Sequence, residues 1–593
     1  MTSREKVVAL RRLMKQEGLA AYLVPSTDPH MSEYLPECWK RRQWLSEFTG
    51  SAGDLAILTR EASLWTDSRY YLQAEQQLDP GVFRLFKKGL PETPTFEAYL
   101  ARRLKPGQVV GIDARVFSRE AAEKLEAALR ARKIGLRSTR RNLVDQIWTD
   151  RPQQPLTPIV RHADRLAGET AAQKLARMRK ELIRQDVDAH VLTALDSIAW
   201  LFNIRGTDAE FNPVAIAYAI LTRRNATLFI DPRKVPKRVA GEFAGTVTLM
   251  PYEAAGAGFA ALGARHARVL VDPATTNRWV IEKLKGARMR YAQSPIVPAR
   301  AVKNGVQAQG MRRCHRRDGV AMVRFLHWLE QTLPQRRMRE LDLAKRLEAF
   351  RGEDRLYRGP SFDTIVGFGR NAAVVHYSPR TGENRVVGSH GILLIDSGGQ
   401  YLDGTTDITR TIALGTPNGR QRRIFTLVLK AHIGLARACF PKGTPGSRIE
   451  VLARRALWEA GLDYGHGTGH GVGHYLNVHE GPIGFSPKSH APLEPGHVVS
   501  VEPGYYVAGR DGFRTENLVL VVRDRKHSTT EREWCLLESL TLCPIDRTLI
   551  DPAMLDAEER RWLDEYHERV FQSLAPRLKK AERAWLRSKT QPI

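Results

Sequence analysis

The sequence predicts an α/β (α+β) protein in which two tandem copies of one α/β domain precede a larger third domain. Residues 56–67 read AILTREASLWTD, and residues 219–231 read AILTRRNATLFID. Each of these segments follows a stretch of helical pattern that leads into an apolar strand, at 10–27 and at 176–195. Similar segments in the same order indicate a duplicated domain.

Proline-rich stretches mark the predicted boundaries. TDRPQQPLTPIV (149–160) carries three prolines and is typical of an extended linker. SPIVPARAVKN (294–304) precedes a long stretch of helical periodicity. We therefore expect domains over residues 1–152, 153–300 and 301–593.

Composition limits the class of protein. The 593 residues are 42% hydrophobic and 26% charged, which suits several globular domains. No run of about 18 apolar residues occurs, so we expect no membrane span. The five cysteines are scattered, which favours reduced thiols over a disulfide framework. We therefore expect a cytoplasmic protein.

Net charge is the unusual feature. The formal charge is +27 at pH 7, and the basic residues are spread along the chain. A nucleic-acid partner is one interpretation, and arginine-rich solvated faces are the other. The sequence has no long basic block with interleaved aromatics, no zinc-finger spacing and no RNA-binding signature. We favour solvated faces and expect no nucleic-acid partner.

Several predicted strands of the third domain lead to a carboxylate. GILLIDSGG predicts a buried strand that ends at Asp396, and TDITRTIAL predicts its partner strand, beginning beside Asp407. HVVSVEPGYYV predicts a strand that delivers Glu502 into a Pro-Gly turn. GFRTENLVLVV predicts one strand that carries Glu516 on a face shared with apolar residues.

Burial of these four carboxylates requires positive charge. An unpaired buried carboxylate is strongly destabilising. A pair of divalent cations would neutralise four carboxylates, and one imidazole would complete the set of ligands. Oxygen-rich ligation favours Mn²⁺, with Zn²⁺ or Co²⁺ as alternatives, and needs none of the cysteines.

Histidines supply candidate ligands or substrate-binding groups. The glycine-rich segment HGTGHGVGHYLNVHEG (466–481) contains four of them, and AVVHYSP (373–379) predicts a strand that ends near His376. Histidine acts near neutral pH as a metal ligand, an acid or a base. Taken alone, each of these histidines is more often a hydrogen-bonded structural residue, so their roles stay open at this point.

The ordered motifs closely resemble the pita-bread metallopeptidases. LIDSGGQYLDGTTDITRT, HGTGHGVGHYLNVHEGP, SVEPGYY and GFRTENLVLV occur in the order of that family. The doubled N-terminal region, with WTDSRYYLQAEQQL and LVDQIWTDRP, resembles the three-domain cytosolic aminopeptidase P (Xaa-Pro aminopeptidase) subgroup. The resemblance implies two creatinase-like α/β domains and a pita-bread catalytic domain. It also implies a metal-dependent aminopeptidase that removes the N-terminal residue from peptides with proline in the second position.

The resemblance assigns a role to each matching residue. The implied metal ligands are Asp396, Asp407, His470, Glu502 and Glu516. The implied catalytic residues are Glu502, His479, His376 and His466, and the implied substrate-binding residues are Arg69, His376, His466 and His479. Two divalent ions, with Mn²⁺ preferred, would activate a water whose proton Glu502 accepts. His474 matches no functional position, and the subgroup suggests a homodimer.

Three alternatives stay open. A prolidase-type dipeptidase shares the ligand set but cleaves only dipeptides, and the doubled N-terminal region argues against it. A creatinase-type hydrolase of small molecules does not need all five ligands. A non-enzymatic pita-bread protein that binds nucleic acid would explain the charge, but the complete ligand set argues against it.

Overall fold

The first sheet of the computed structural model, which describes residues 1–593, has six strands. The strands are β1 Ala21–Val24, β2 Asp54–Leu58, β3 Ala62–Thr66, β4 Arg84–Lys87, β5 Val109–Ile112 and β6 Gly135–Ser138. The helices are α1 Ser3–Gln16, α2 Arg41–Ser46, α3 Tyr71–Gln77, α4 Phe96–Arg103, α5 Arg119–Arg130 and α6 Leu143–Ile147. The strand order is β4-β3-β2-β1-β5-β6. The pairings β1–β2 and β2–β3 are antiparallel, and the other three pairings are parallel.

A second six-stranded sheet follows. Its strands are β8 Ala189–Leu192, β10 Ala217–Thr222, β11 Ala226–Ile230, β12 Thr248–Met250, β13 Arg268–Val271 and β14 Arg288–Tyr291. The short strands β7 Val160–Arg161 and β9 Ile204–Arg205 pair with each other as a separate two-stranded sheet. The helices are α7 Asp164–Ala167, α8 Ala171–Arg184, α9 Leu195–Leu201, α10 Lys237–Phe243, α11 Ala255–Ala264, α12 Arg278–Lys283 and α13 Ile296–Ala301. The order β12-β11-β10-β8-β13-β14 and the pairing senses repeat those of the first sheet, which confirms the predicted duplication.

The duplicated segments fold alike because their local signals are alike. The repeated texts form the hairpins β2–β3 and β10–β11. Thr2 and Thr170 begin α1 and α8 with capping boxes, which satisfy amide groups that the first turn leaves unpaired. Each helix then turns into its strand through a left-handed residue, Gly18 at φ +64° and Asp186 at φ +51°.

Unit 1 of the structure comprises Met1–His162 and Glu169–Val297, and unit 2 comprises Ala163–Gly168 and Pro298–Ile593. The two six-stranded sheets described above belong to unit 1.

The proline-rich stretch from residue 151 to 159 forms neither helix nor strand. None of the helices combines the length and hydrophobicity that crossing a bilayer requires.

Unit 2 contains the longest helices and most of the strands. Besides α7 and most of α13, its helices are α14 Gly305–Thr332, α15 Glu340–Gly352, α16 Gly419–Ala436, α17 Gly446–Ile449, α18 Val451–Trp458, α19 Ala557–Leu574 and α20 Lys580–Lys589. The strands are β15 Met338–Arg339, β16 Tyr357–Pro360, β17 Ile365–Phe368, β18 Val386–Val387, β19 Gly391–Ser397, β20 Gly399–Tyr401, β21 Gly404–Thr405, β22 Ile408–Leu414, β23 Cys439–Pro441, β24 Gly469–Gly471, β25 Glu480–Phe485, β26 Val498–Val501, β27 Gly504–Val507, β28 Asp511–Arg514, β29 Asn517–Arg523 and β30 Trp534–Ser539.

Two sheets of unit 2 matter most for function. One has six strands in the order β23-β30-β29-β26-β24-β25, and the other has three in the order β17-β19-β22. Helix α16 buries Phe425, Val428 and Leu429 in an apolar cluster that also receives residues of α19. Helix α14 confirms the long helix that the periodicity after residue 304 predicts.

Two strand predictions in this unit were wrong. AVVHYSP forms no strand, because Gly369 turns the chain at φ +57° into a 3₁₀ helix that buries the consecutive residues Ala372 and Ala373. A strand would have turned these two side chains to opposite faces. GFRTENLVLVV forms two strands, because β28 pairs with β27 whereas β29 pairs with β26 and β30. Glu516 therefore lies in the break between two sheets.

Candidate metal centre

Five segments of unit 2 bring the predicted ligands together. Asp396 lies in β19, Asp407 immediately precedes β22, and His470 is the central residue of β24. Glu502 immediately follows β26, and Glu516 immediately precedes β29. The site therefore forms only where the three-stranded and six-stranded sheets meet.

Strand register explains why the two aspartates are neighbours. Asp396 pairs with Thr409 in the antiparallel ladder of β19 and β22. Asp407 lies two residues before Thr409, at the point where β22 begins. A strand alternates its side chains, so Asp407 and Thr409 are directed to the same side.

Strand register in the six-stranded sheet likewise makes Glu502 and Glu516 neighbours. Val501 pairs with Asn517, so the adjacent residues Glu502 and Glu516 leave the β26–β29 ladder side by side. The backbone amide of Glu516 donates to the carbonyl of Thr409 at 3.2 Å. This bond joins the glutamate pair to the strand that carries the aspartates.

His470 directs a lone pair at two of the carboxylates. Its Nδ1–H donates to the carbonyl of Gly471 at 2.9 Å, so in the neutral ring Nε2 carries no proton. Nε2 lies 3.5 Å from Asp407 Oδ2 and 3.4 Å from Glu502 Oε1. A lone pair that faces two ionised oxygens is repulsive unless a cation lies among them.

Two further oxygens at this site are buried without a hydrogen-bond partner. Glu516 Oε2 accepts from Thr409 Oγ1 at 2.8 Å, whereas its Oε1 has no partner. Asp396 Oδ2 accepts from Arg514 at 2.7 Å, whereas its Oδ1 has no partner. Buried polar atoms in folded proteins are nearly always satisfied, so these oxygens indicate a missing positive group.

The electrostatics of the glutamates and of Asp407 agree with this geometry. Burial raises the pKa of Asp407 well above its usual range, and the charges of Asp396 and Glu502 add to the rise. Burial likewise raises the pKa of Glu516 well above its usual range, with Asp407 as the next cause. The pKa of Glu502 is also raised by burial, although neighbouring His470 opposes it. Such carboxyls are costly to ionise without added cations.

The donor set fits divalent cations. Ligand atoms of Asp407, His470 and Glu516 all lie within 4.8 Å of one another. Oxygen donors with one imidazole nitrogen suit Mn²⁺, Zn²⁺ or Co²⁺. The orphaned oxygens of Asp396 and Glu516 would complete such a set.

One arginine supplies the positive charge that the chain itself places here. Arg514 Nη2 donates to Asp396, and its Nη1 donates to the hydroxyl of Tyr506 at 2.6 Å. The Tyr506 hydroxyl lies 2.9 Å from Nε2 of His466, whose Nδ1–H donates to the carbonyl of Gly467 at 2.8 Å. Burial raises the pKa of Tyr506 to about 12, so its hydroxyl remains a donor to His466 at neutral pH.

The remaining predicted site residues lie in different surroundings. The ring of His479 packs edge-on against the ring of His470, with centroids 4.3 Å apart. His376 lies in the turn after the 3₁₀ helix and is half-buried. Arg69 belongs to unit 1, where it forms an ion pair with Asp67 at 2.8 Å. Its contribution to a peptide site stays a prediction.

The sequence interpretation missed Arg514 and Tyr506. Arg514 lies two residues before Glu516 in the same motif, so period-two alternation would have placed both on one side. Tyr506 follows Glu502 by four residues and has no comparable signal. His474, which matches no functional position in the motifs, is buried against Gly310 of α14.

Models of four known domains match the chain from end to end. The creatinase/prolidase N-terminal domain matches residues 6–139, and a second model of that domain matches residues 150–307. Metallopeptidase family M24 matches residues 309–523, and the C-terminal region of peptidase M24 matches residues 533–593. The predicted class of two creatinase-like domains before a catalytic domain is confirmed.

Relatives extend this similarity over the full length. A probable Xaa-Pro aminopeptidase P from Laccaria bicolor is 42% identical over 99% of this chain and 93% of its own. X-prolyl aminopeptidase from Caenorhabditis elegans, described as a cytosolic enzyme with a di-nuclear active site, has 38% identity and a TM-score of 0.96 over 100% of both chains. A Xaa-Pro dipeptidase from Bacillus anthracis, 24% identical with a TM-score of 0.51, shares the fold over 64% of this chain and 99% of its own.

Proposed function

We propose that this chain, which belongs to metallopeptidase family M24 and to its Xaa-Pro aminopeptidase P branch, removes the N-terminal residue from peptides with proline in the second position. One observation carries the chemistry: the Nε2 lone pair of His470 faces oxygens of Asp407 and Glu502 beside the orphaned oxygen of Glu516. A hydrolase that depends on bound cations accounts for this arrangement.

The proposed ligands hold two divalent ions, with Mn²⁺ as the preferred metal. They are Asp396, Asp407, His470, Glu502 and Glu516. When bound, such ions polarise a carbonyl and lower the pKa of a water towards neutrality. The unpaired oxygens and the mutual repulsion among the carboxyls support this assignment.

Glu502 moves the proton in the proposed reaction. Its carboxylate accepts the proton that leaves the attacking water and delivers it to the nitrogen of the departing proline. Ser500 Oγ donates to Glu502 Oε1 at 3.1 Å, and this hydrogen bond fixes one side of the carboxylate. The backbone amide of Glu502 donates to the carbonyl of Thr468, which limits movement of the residue.

Three histidines and one arginine orient the peptide in this proposal. His479 stabilises the developing oxyanion, with His376 also beside the reacting carbonyl. His466, held by the hydroxyl of Tyr506, binds the substrate. Arg69 of unit 1 contributes to peptide binding.

Proline selectivity follows from the chemistry of the scissile bond. The bond before proline is a tertiary amide, which has no N–H for a peptidase to bind. A site that recognises the pyrrolidine ring by shape and by histidine contacts does not need that donor. We also propose a cytoplasmic homodimer with domain boundaries at residues 152/153 and 300/301, which acts on peptides and not on nucleic acid.

The test uses metal-stripped enzyme restored with Mn²⁺ and offered two substrates. We expect hydrolysis of a tripeptide Xaa-Pro-Yaa after its first residue, and loss of hydrolysis when the metal is removed. A Xaa-Pro dipeptide separates the prolidase alternative. Cleavage of the dipeptide alone would refute the proposal in favour of that alternative.

A further inference from the structure

A second group of side chains of the types that ligate metals lies at the other end of the six-stranded sheet. Cys439 begins the edge strand β23, and Asp524 and His527 lie in the connection from β29 to β30. Cys439 Sγ is 3.1 Å from Asp524 Oδ2 and 3.8 Å from His527 Nδ1. Asp524 Oδ2 is 2.5 Å from His527 Nδ1. Three different donor types thus converge on one point.

Backbone contacts direct one oxygen of Asp524 at the other two groups. Asp524 is 5% exposed, and its backbone amide donates to the carbonyl of Trp534 at 2.8 Å. Its Oδ1 accepts from the backbone amides of Lys526 and His527, at 2.8 and 3.4 Å. Only Oδ2 faces Cys439 and His527, and the latter two residues are exposed to solvent.

We propose that Cys439, Asp524 and His527 bind a zinc-type divalent ion, in a site separate from the carboxylate centre. A thiolate, an imidazole and a carboxylate are the three ligand classes that Zn²⁺ uses, with water completing a tetrahedron. Binding replaces the thiol proton of Cys439 by the metal and releases that proton to solvent. The Nδ1–H of His527, which donates to Asp524 Oδ2 in the absence of metal, gives way to the ion, and the neutral ring then carries its proton on Nε2.

The spacing of the donors is close to that of a tetrahedral site. Zinc bonds of about 2.0–2.3 Å at tetrahedral angles separate neighbouring ligand atoms by about 3.3–3.6 Å. The two distances from Cys439 bracket this range, and the distance from Asp524 to His527 must lengthen by about 1 Å. The exposed ring of His527 has the freedom to make this movement.

This site is distinct from the first in position and in ligand type. Strand β23 is separated from β24, which carries His470, by four strand spacings of about 4.8 Å, or about 19 Å. The carboxylate centre contains no thiol among its proposed ligands. A bound ion would fasten the edge strand to the β29–β30 connection and so stabilise that end of the sheet.

The thiol provides a specific probe. Metal-stripped full-length protein is titrated with Co²⁺, because thiolate ligation of Co²⁺ gives a charge-transfer absorption in the near ultraviolet that oxygen and nitrogen ligands do not give. We expect this absorption in the wild type, its loss in Cys439→Ser, and a Co²⁺ affinity reduced roughly tenfold or more in His527→Ala. His490→Ala, which removes an exposed histidine elsewhere, is the matched control and should behave as the wild type.

Metal content and activity complete the test. Protein loaded with Zn²⁺ should retain one more ion per chain in the wild type than in Cys439→Ser, whereas cleavage of Xaa-Pro-Yaa should agree within about twofold. Absence of the charge-transfer absorption in the wild type would overturn the proposal. Its persistence in Cys439→Ser, or equal zinc content in the two proteins, would do the same.

Discussion

Two sets of carboxylates in unit 2 differ in the cations beside them. In the first group, Asp318 accepts from Arg351 at 2.8 Å and from the hydroxyl of Tyr401 at 2.8 Å. Glu480 forms ion pairs with two buried cations, Arg300 and Lys303. Each of these carboxylates has its positive partner within the chain.

The second group is the candidate metal centre. There, four carboxylates share one arginine, and two of their oxygens have no hydrogen-bond partner. Burial alone would raise the pKa of Asp318, but Arg351 and Tyr401 outweigh burial and lower it. At Asp407, burial and neighbouring carboxylates raise the pKa together. Two groups of the same residue types thus differ in whether the protein supplies the compensating charge.

The largest effect should come from neutralising the proposed proton carrier. Glu502→Gln should lower kcat/KM for Xaa-Pro-Yaa by about 10²–10⁴-fold, because the amide cannot accept the proton from water. Steady-state kinetics with Mn²⁺-loaded protein measure the loss. The exposed residue Glu531 offers the control Glu531→Gln, which should retain full activity. Unimpaired turnover by Glu502→Gln would remove it from the reaction.

Removing the charge of Glu480, which two cations of the chain balance, should destabilise the fold. Glu480→Gln leaves Arg300 and Lys303 buried without their counterion, so we expect a loss of about 3–5 kcal/mol in the free energy of unfolding. Urea unfolding of metal-loaded protein measures it. Glu533→Gln disrupts the exposed pair with Lys442 and should lose less than about 1 kcal/mol. Equal losses in the two variants would contradict the comparison.

A glutamate-to-glutamine substitution at the metal centre should instead stabilise the metal-free fold. Without metal, Glu516→Gln removes one of several repelling charges and should raise the free energy of unfolding by about 1–3 kcal/mol. Metal affinity should fall at the same time. Urea unfolding in a chelator and metal analysis provide the two readouts. Destabilisation of the chelated protein would show that Glu516 is compensated by the chain.

Metal removal should also make stability depend on pH. The folded pKa values of Asp407, Glu502 and Glu516 exceed the unfolded values of about 4, so the folded state binds more protons. The stability of the chelated protein should therefore fall as pH rises from 5 to 8, by about 1.4 kcal/mol per pH unit for each carboxyl involved.

The measured quantity is the difference in unfolding free energy between loaded and chelated protein across this range. Burial lowers the pKa of His190 to about 4, so that residue favours the folded state as pH rises towards 6.5. It does so with or without metal, and its effect cancels in the difference. A difference that stays constant from pH 5 to 8 would argue against uncompensated carboxylates.

The smallest effect concerns the hydrogen bonds that link Arg514 to His466, the proposed substrate-binding histidine. Tyr506→Phe removes the hydroxyl that joins Arg514 to His466, and should cost about 1 kcal/mol in stability and about fivefold in kcat/KM. Thermal unfolding and kinetics measure these changes, with the neighbouring Tyr505→Phe as control. A loss of kcat/KM as large as that of Glu502→Gln would mean that Tyr506 takes a direct part in the reaction.

Much of this organisation could be predicted because its signals are local. The repeated hairpin text predicts two similar sheets, and the apolar run before Asp396 predicts β19. The ordered motifs also predict that carboxylates and His470 meet, and the structure brings them together. Their roles as ligands stay predictions.

The remainder depends on contacts that no local pattern encodes. AVVHYSP has the β-branched residues of a strand, but the chain at Tyr377 is held by a hydrogen bond from its hydroxyl to Glu340 of α15. The partner change between β28 and β29 depends on which strands lie alongside them. The convergence of Cys439 with Asp524 joins residues 85 positions apart. Such pairings are set by tertiary packing, which outweighs local propensity.

The position of Glu516 in the break between two strands also has a consequence for folding. Its hydrogen bond to Thr409 spans 107 residues, and the bond from Arg514 to Asp396 spans 118. Contacts of such sequence separation form late, after the loops between them have closed. No fragment ending before Glu516 can assemble the five residues. Capture of metal would therefore be among the last events in the maturation of a newly made chain.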